Sequence, residues 1–217
     1  MDEGERWAVA EEKEATPLTK EQKENLNDVV KELGVSVGER MSFNDANNMH
    51  SNPKYKTLFD QKYLGNSYSE NCTLCVMSHE LRMRGLNVEA KSMNLFSKSM
   101  EIIRKKPEVL WIDPKTNKTP KWIPVNEKNA KLTQKELERN TLQVGRYHVK
   151  MYWEGGAGHI FCLDRLPNGK LRFYDPQNGQ LNWDNWLKGV NLDATIGVIK
   201  VDRLLINKKI ISRIVNA

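Results

Sequence analysis

Cysteine is scarce in this chain. Three Cys in 217 residues are too few, and odd in number, for a disulfide framework, so the protein is expected to be made in a reducing cytoplasm. No apolar run reaches the length of a membrane span and no secretory signal opens the chain, which argues against a spanning or secreted class. Charge of one sign is not concentrated either. The 34 Lys and Arg against 28 Asp and Glu leave a formal net charge of +6, but the two signs are interleaved. The one basic concentration, "NKKIISRIV", alternates with apolar residues and has no aromatic platform for bases, which argues against nucleic acid. Only four His are present, so any base or metal ligand of that type comes from a short list. The 39% hydrophobic and 29% charged residues describe an ordinary globular chain with one core and attached tails.

Residues 1–18, "MDEGERWAVAEEKEATPL", are acidic and lack a sustained apolar period; they read as a loose leader or linker to a single domain over 19–217. Thr19 with Gln22 spells a capping box, and the helix that follows carries Leu26, Val29, Val30 and Leu33 before Gly34 stops it. Residues 35–70 are rich in Asn, Ser and Tyr and hold one short helix after Ser42. In "SENCTLCVMSHELRMRG", Leu74, Met77, Ser78 and Leu81 recur at helical steps, with Ser69 or Asn71 as cap and Gly85 as the left-handed stop. A short strand "LNVEA", a helix ended by Pro107 and the turn-rich surface stretch "IDPKTNKTPKWIP" follow. Thr133 and Glu136 suggest a second capping box for a helix near 134–143. The period then changes from 3.6 to 2: "RYHVKMYWE", "HIFCLDRL", "LRFYD" and "TIGVIKVDRLL" read as four antiparallel strands, with a short Trp183 and Trp186 helix before the last. Helices first and an antiparallel sheet after make an α+β fold.

Cys72 and Cys75 admit four readings. Core packing suits Cys75, flanked by Leu74 and Val76. Zinc fits poorly, because Cys72, Cys75 and His79 span seven positions, roughly 10 Å of helix, and no second ligand pair completes a site. A thioredoxin-like pair wants a strand before the motif, and "SYSEN" is not one. The fourth reading is a nucleophile at the start of a helix, where the positive end favours a thiolate, with its base supplied from elsewhere. His159, opening a strand after "GGAG", has glycines that leave room for a substrate, whereas His148 is mid-strand, His79 lies two turns down the cysteine helix and His50 is in the loop-rich segment. Strand parity sets His159 on the face of Phe161 and Leu163, with Cys162 and Asp164 on the other. Asp175, at the end of the next strand, is then the carboxylate that can orient the imidazole, with Asp164 its rival.

"NCTLCVMSHELRMRGLNVEA" followed by "GAGHIFCLDRLPNGKLRFYDPQNG" resembles the papain-fold toxin domains of glutamine-deamidase type. "MSFNDANNMHSNPKY" and "VLWIDPKTNKTP" are similar to the versions at the C-terminal ends of Mu-type phage minor head proteins, and the resemblance covers residues 40–205. It implies a papain-like fold and Cys72 as nucleophile, His159 as base and Asp175 as orienting acid. It also implies a protein substrate bearing a reactive Gln, with no cofactor and no metal. Partners implied are a cognate immunity protein or phage head components, with no membrane partner. The origin implied is bacterial or phage, with the protein made in the cytoplasm and virion-associated or delivered into a target cell. Papain-like enzymes carry a Gln six residues before the nucleophile, and this chain has Asn66 there; Asn66, Asn71 and Gln177 are the candidates for oxyanion or substrate contacts. The chain lacks the Cys-Gly-Ser-Cys-Trp signature of papain itself. A papain-like protease or isopeptidase and a non-catalytic phage head domain are the alternative expectations.

Overall fold

A computed structural model describes residues 17–48, 66–181 and 185–217. Helix α1 (Lys20–Leu33) has the expected capping box, Gln22 N–H donating to Thr19 Oγ1 at 3.2 Å and Thr19 N–H to Gln22 Oε1 at 3.1 Å, and it ends at Gly34 with φ 71°. The short α2 (Phe43–Asn48) follows, then β1 (Asn66–Ser67) and α3 (Cys72–Met83), the cysteine helix. Next come β2 (Glu89–Ala90), β3 (Met93–Asn94), α4 (Lys98–Lys105), β4 (Trp111–Ile112), β5 (Ile123–Pro124) and α5 (Ala130–Asn140). The second half supplies β6 (Gly145–Tyr152), β7 (Gly158–Arg165), β8 (Leu171–Asp175), β9 (Gln180–Leu181), β10 (Gly197–Lys200), β11 (Leu205–Ile206) and β12 (Val215–Asn216).

The main sheet runs in the order β5-β10-β6-β7-β8-β9, antiparallel throughout. Three two-stranded ribbons, β1 with β3, β4 with β11 and β2 with β12, join other parts of the chain. Two of them clamp the helical half to the C-terminal residues, and Asn25 of α1 adds a pair of hydrogen bonds to the Ile206 backbone. The architecture is α+β with antiparallel sheets, as the change of period implies. Leu18, assigned by sequence to the leader, packs against the core beside Leu26 and Val29; residues 1–16 lie outside the described set.

Helix α3 is the centre of the molecule. Every residue from Cys72 to Arg82 is buried. Leu74, Cys75, Met77 and Leu81 meet Leu26 and Val29 on one side, while Cys72 and Val76 meet Ile160, Cys162 and Tyr174 of the sheet on another. The opposite sheet face carries Val149, Phe161 and Leu163, covered by Leu137 of α5 and by Trp186. The alternation in β6 and β7 is therefore a division between two cores, not between core and water.

Two local expectations are corrected. Helix α5 begins three residues before Thr133, because Asn129, in extended geometry, already caps it by accepting from Leu132 N–H at 3.0 Å. Thr133 is buried inside that helix and accepts from Glu127 N–H at 2.9 Å, tying down the incoming loop. Around Trp186 residues 185–189 form turns rather than a helix; the indole is 2% exposed and donates to Gln134 Oε1 at 2.8 Å, so it plugs the sheet face. Trp183 lies outside the described residues. The segment from Asp113 to Pro120 runs over the surface, closed by an Asp113–Lys118 bridge with Asn117 at φ 53°.

Candidate active site

The first turn of α3 is built in a way the sequence does not announce. Asn71 stands at the N-cap position, yet its side chain caps nothing. Its amide Nδ2 donates to Lys91 O at 2.8 Å, while Oδ1 accepts from Gln177 Nε2 at 3.3 Å and from Cys75 Sγ at 3.4 Å. Asn71 is fully buried and is a clasp between the helix start, the chain before β3 and the turn after β8. The backbone N–H groups of Cys72 and Thr73 make no hydrogen bond among the described residues, so the positive end of the helix stays open toward the adjoining cleft. Cys72 is the first residue of α3 and lines that cleft.

His159 and Asp175 arrive from the sheet. Cys162 pairs with Tyr174 across β7 and β8, so His159 and Asp175 share the face of Phe161, one diagonal step apart. The result is a 2.9 Å hydrogen bond from His159 Nε2 to Asp175 Oδ2. The carboxylate is itself held: Oδ1 accepts from Gln177 N–H at 3.0 Å and Oδ2 also accepts from Asn178 Nδ2 at 2.8 Å. With Nε2 committed, Nδ1 is the ring nitrogen left to face Cys72, which lines the same cleft and, with Asp175, favours the charged imidazole. Burial works against a charged His159, but the hydrogen bond to Asp175, followed by the hydrogen bond and charge of Cys72, outweighs it. The pKa is raised to about 10, so the ring is an imidazolium at neutral pH. The indole of Trp153 stacks near the ring at 6.2 Å, and the Gly155–Gly158 turn leaves the approach to it low.

These three side chains line a cleft of about 720 Å³, together with Thr73, Lys150 and Gln177. Of the expected contacts, Gln177 lies at its edge, Asn71 is buried behind it as the clasp, and the Asn66 side chain lies outside the described residues. His50 also lies outside them. Asp164 points to the other face and pairs with Arg172, whose guanidinium covers the Phe43 ring at 3.5 Å.

The remaining thiols and imidazoles are core groups. Burial pushes the thiols of Cys75 and Cys162 well up. His79, wedged between Phe43 at 5.8 Å and Tyr174 at 5.1 Å, and His148, 5.6 Å from Trp111, are both lowered to about 3 by burial. No group of three His, Cys, Asp or Glu among the described residues is arranged to hold a metal ion. Asn178 was missed by sequence reasoning; the "DPQN" turn that places it carried the only signal. No family model, no curated protein and no solved structure matches the chain.

Proposed function

We propose that the protein is a cysteine-dependent acyl-transfer hydrolase of papain-like fold that deamidates a glutamine side chain of a target protein. The observation that carries this reading is the hydrogen-bonded Asp175–His159 pair lining one cleft with Cys72, which stands at an open helix start. Three residues 87 and 16 positions apart in sequence converge on one cleft, His159 and Asp175 joined by a hydrogen bond and the imidazole charged. That is the arrangement of an activated nucleophile with its base and orienting acid. The choice of a side-chain carboxamide over a backbone amide rests on the motif's resemblance to deamidase toxin domains.

In this mechanism the Cys72 thiolate attacks the carboxamide carbon, and the C=O electrons move to an oxyanion met by the Cys72 and Thr73 N–H groups. His159 Nδ1–H gives its proton to the nitrogen, the C–N bond breaks and ammonia leaves a thioester on Cys72. The neutral imidazole then takes a proton from water, whose oxygen attacks the thioester carbon. Collapse returns the thiolate and the imidazolium and leaves Glu where Gln stood. Asp175 accepts from His159 Nε2–H throughout and does not itself gain the proton.

The test is mass spectrometry of bacterial lysate proteins with wild type and with Cys72→Ala. The expected outcome is an uncut target gaining about one mass unit at a Gln, with ammonia released, only with wild type. New termini and shorter fragments would assign backbone cleavage instead. An unreactive Cys72 with no product would assign a non-catalytic domain.

A further inference from the structure

Acyl transfer leaves one cation of the cleft without a task. Lys150 lies on β6, opposite Ile160 and one position from the Met151–His159 pair, and its side chain lines the cleft. Its stem crosses Gly197 on the neighbouring β10, where a Cβ would meet Lys150 Cε at 3.3 Å and Trp122 Cβ at 3.0 Å. Glycine at that position opens the groove in which the lysine rests. The ammonium then sits 4.8 Å from the centre of the Trp122 ring, and Trp122 is fixed by donating Nε1–H to Glu108 Oε2 at 2.7 Å.

Lys150 is half-buried and has no hydrogen-bonded or ion-paired carboxylate among the described residues. Burial lowers its pKa and outweighs the charge of Glu108, the carboxylate that holds Trp122 and acts on the lysine without an ion pair to it. The neighbouring cations of the same wall differ: Arg104 has Glu70 at 3.8 Å and Lys105 has Glu101 at 2.7 Å. Their charges are balanced within the helix and its approach, which leaves Lys150 as the cation of the cleft without such a pair among the described residues. Across the cleft lie Trp153 and the glycine turn, and the one buried carboxylate there, Asp175, is spent on His159.

We propose that Lys150 selects the substrate by receiving a side-chain carboxylate of the protein segment that carries the reacting amide, so that the target is an acidic segment. This inference rests on the amide-hydrolase reading of the same cleft. The aromatic seat holds the ammonium in place before binding, so little freedom is lost when the carboxylate arrives. Partial burial shields the pair from salt better than an exposed pair would be shielded.

Three nine-residue peptides with a central Gln, flanked by Glu, by Ala or by Lys, test it through ammonia release. Wild type is expected to prefer Glu over Ala by about fivefold in kcat/KM and to disfavour Lys. Lys150→Gln should bring the Glu and Ala peptides together, Lys150→Glu should reverse the order, and Lys150→Arg should keep it. A second readout needs no turnover: the ratio of Cys72 alkylation rates by iodoacetate and by iodoacetamide. That ratio should fall severalfold in Lys150→Gln and hold in Lys150→Arg. Peptides left intact while the ratio falls would retain Lys150 as a carboxylate seat and remove the deamidase reading. Peptides deamidated in the same order by wild type and Lys150→Gln, with an unchanged ratio, would overturn the role of Lys150 and leave the deamidase reading standing.

Discussion

At the scale of single residues, the site turns on one charged imidazole. Its pKa of about 10 lies above the ordinary value of 6.5, so the imidazolium should persist through neutral pH and be lost as pH rises through about 10. Iodoacetamide should label Cys72 first, since Cys72 lines the cleft while burial keeps Cys75 and Cys162 protonated; peptide mapping after a short pulse checks it, and first labelling of Cys75 would refute it. Asp175→Asn removes the carboxylate that raises His159. It should cost on the order of 10⁴ in turnover and move the alkaline limb of the pH–rate profile to lower pH. Asp164→Asn should leave that limb in place, because Asp164 faces Arg172. The triad was legible because Cys at a helix start, His beside glycines and Asp at a strand end are chemically distinctive. Asn71 was not: an Asn before a helix reads as a cap, and only the tertiary fold reveals that Lys91 O and Gln177 claim its side chain.

At the scale of elements, α3 explains why charged residues were hard to interpret from sequence. Arg82 and Arg84 look like solvated cations of a last turn, but both are buried. Arg82 donates to Val88 O at 2.7 Å and to Ala46 O at 3.2 Å. Arg84 donates to Glu80 Oε1 at 2.8 Å and to the carbonyls of Leu204 and Val201, both at 3.0 Å. Arg146 of β6 completes the cluster with bonds of 2.6 and 2.8 Å to Glu80. Burial alone would raise the Glu80 pKa; the charges of Arg146 and Arg84 outweigh it and hold the carboxylate below its usual range. Periodicity marks such positions as polar and cannot tell that a second layer covers them. Glu80→Gln leaves two buried guanidiniums without their charge partner and should destabilise the fold by about 3–5 kcal/mol, lowering the melting temperature by roughly 10 °C. A depressed carboxylate pKa contributes stability that is present above the ordinary value of 4.5 and lost as pH falls below it, so the Glu80→Gln deficit should shrink in acid. Calorimetry at pH 7 and pH 4 checks both the size and the sign.

At the scale of the whole molecule, the change of period near residue 145 made the order of helices and sheet readable, and four of the six sheet strands were identified. The edge strands β5 and β9 are two residues each, too short for an alternating pattern. The ribbons that lock β4 to β11 and β2 to β12 pair residues about 90 and 125 positions apart, and local sequence holds no record of such pairings. The exposed turn between Asp113 and Pro120 divides the chain so that the thiol lies on one side and the imidazole and carboxylate on the other. A cut within that turn leaves neither polypeptide with all three groups. The ribbon of β4 with β11 and the seating of Asn25 on Ile206 supply a non-covalent means of rejoining them. Co-expressed as fragments 1–116 and 117–217, the halves should complement each other and restore the rapid alkylation of Cys72, while neither half alone should do so. The fold thus contains the components of a two-part switch, silent until both parts meet.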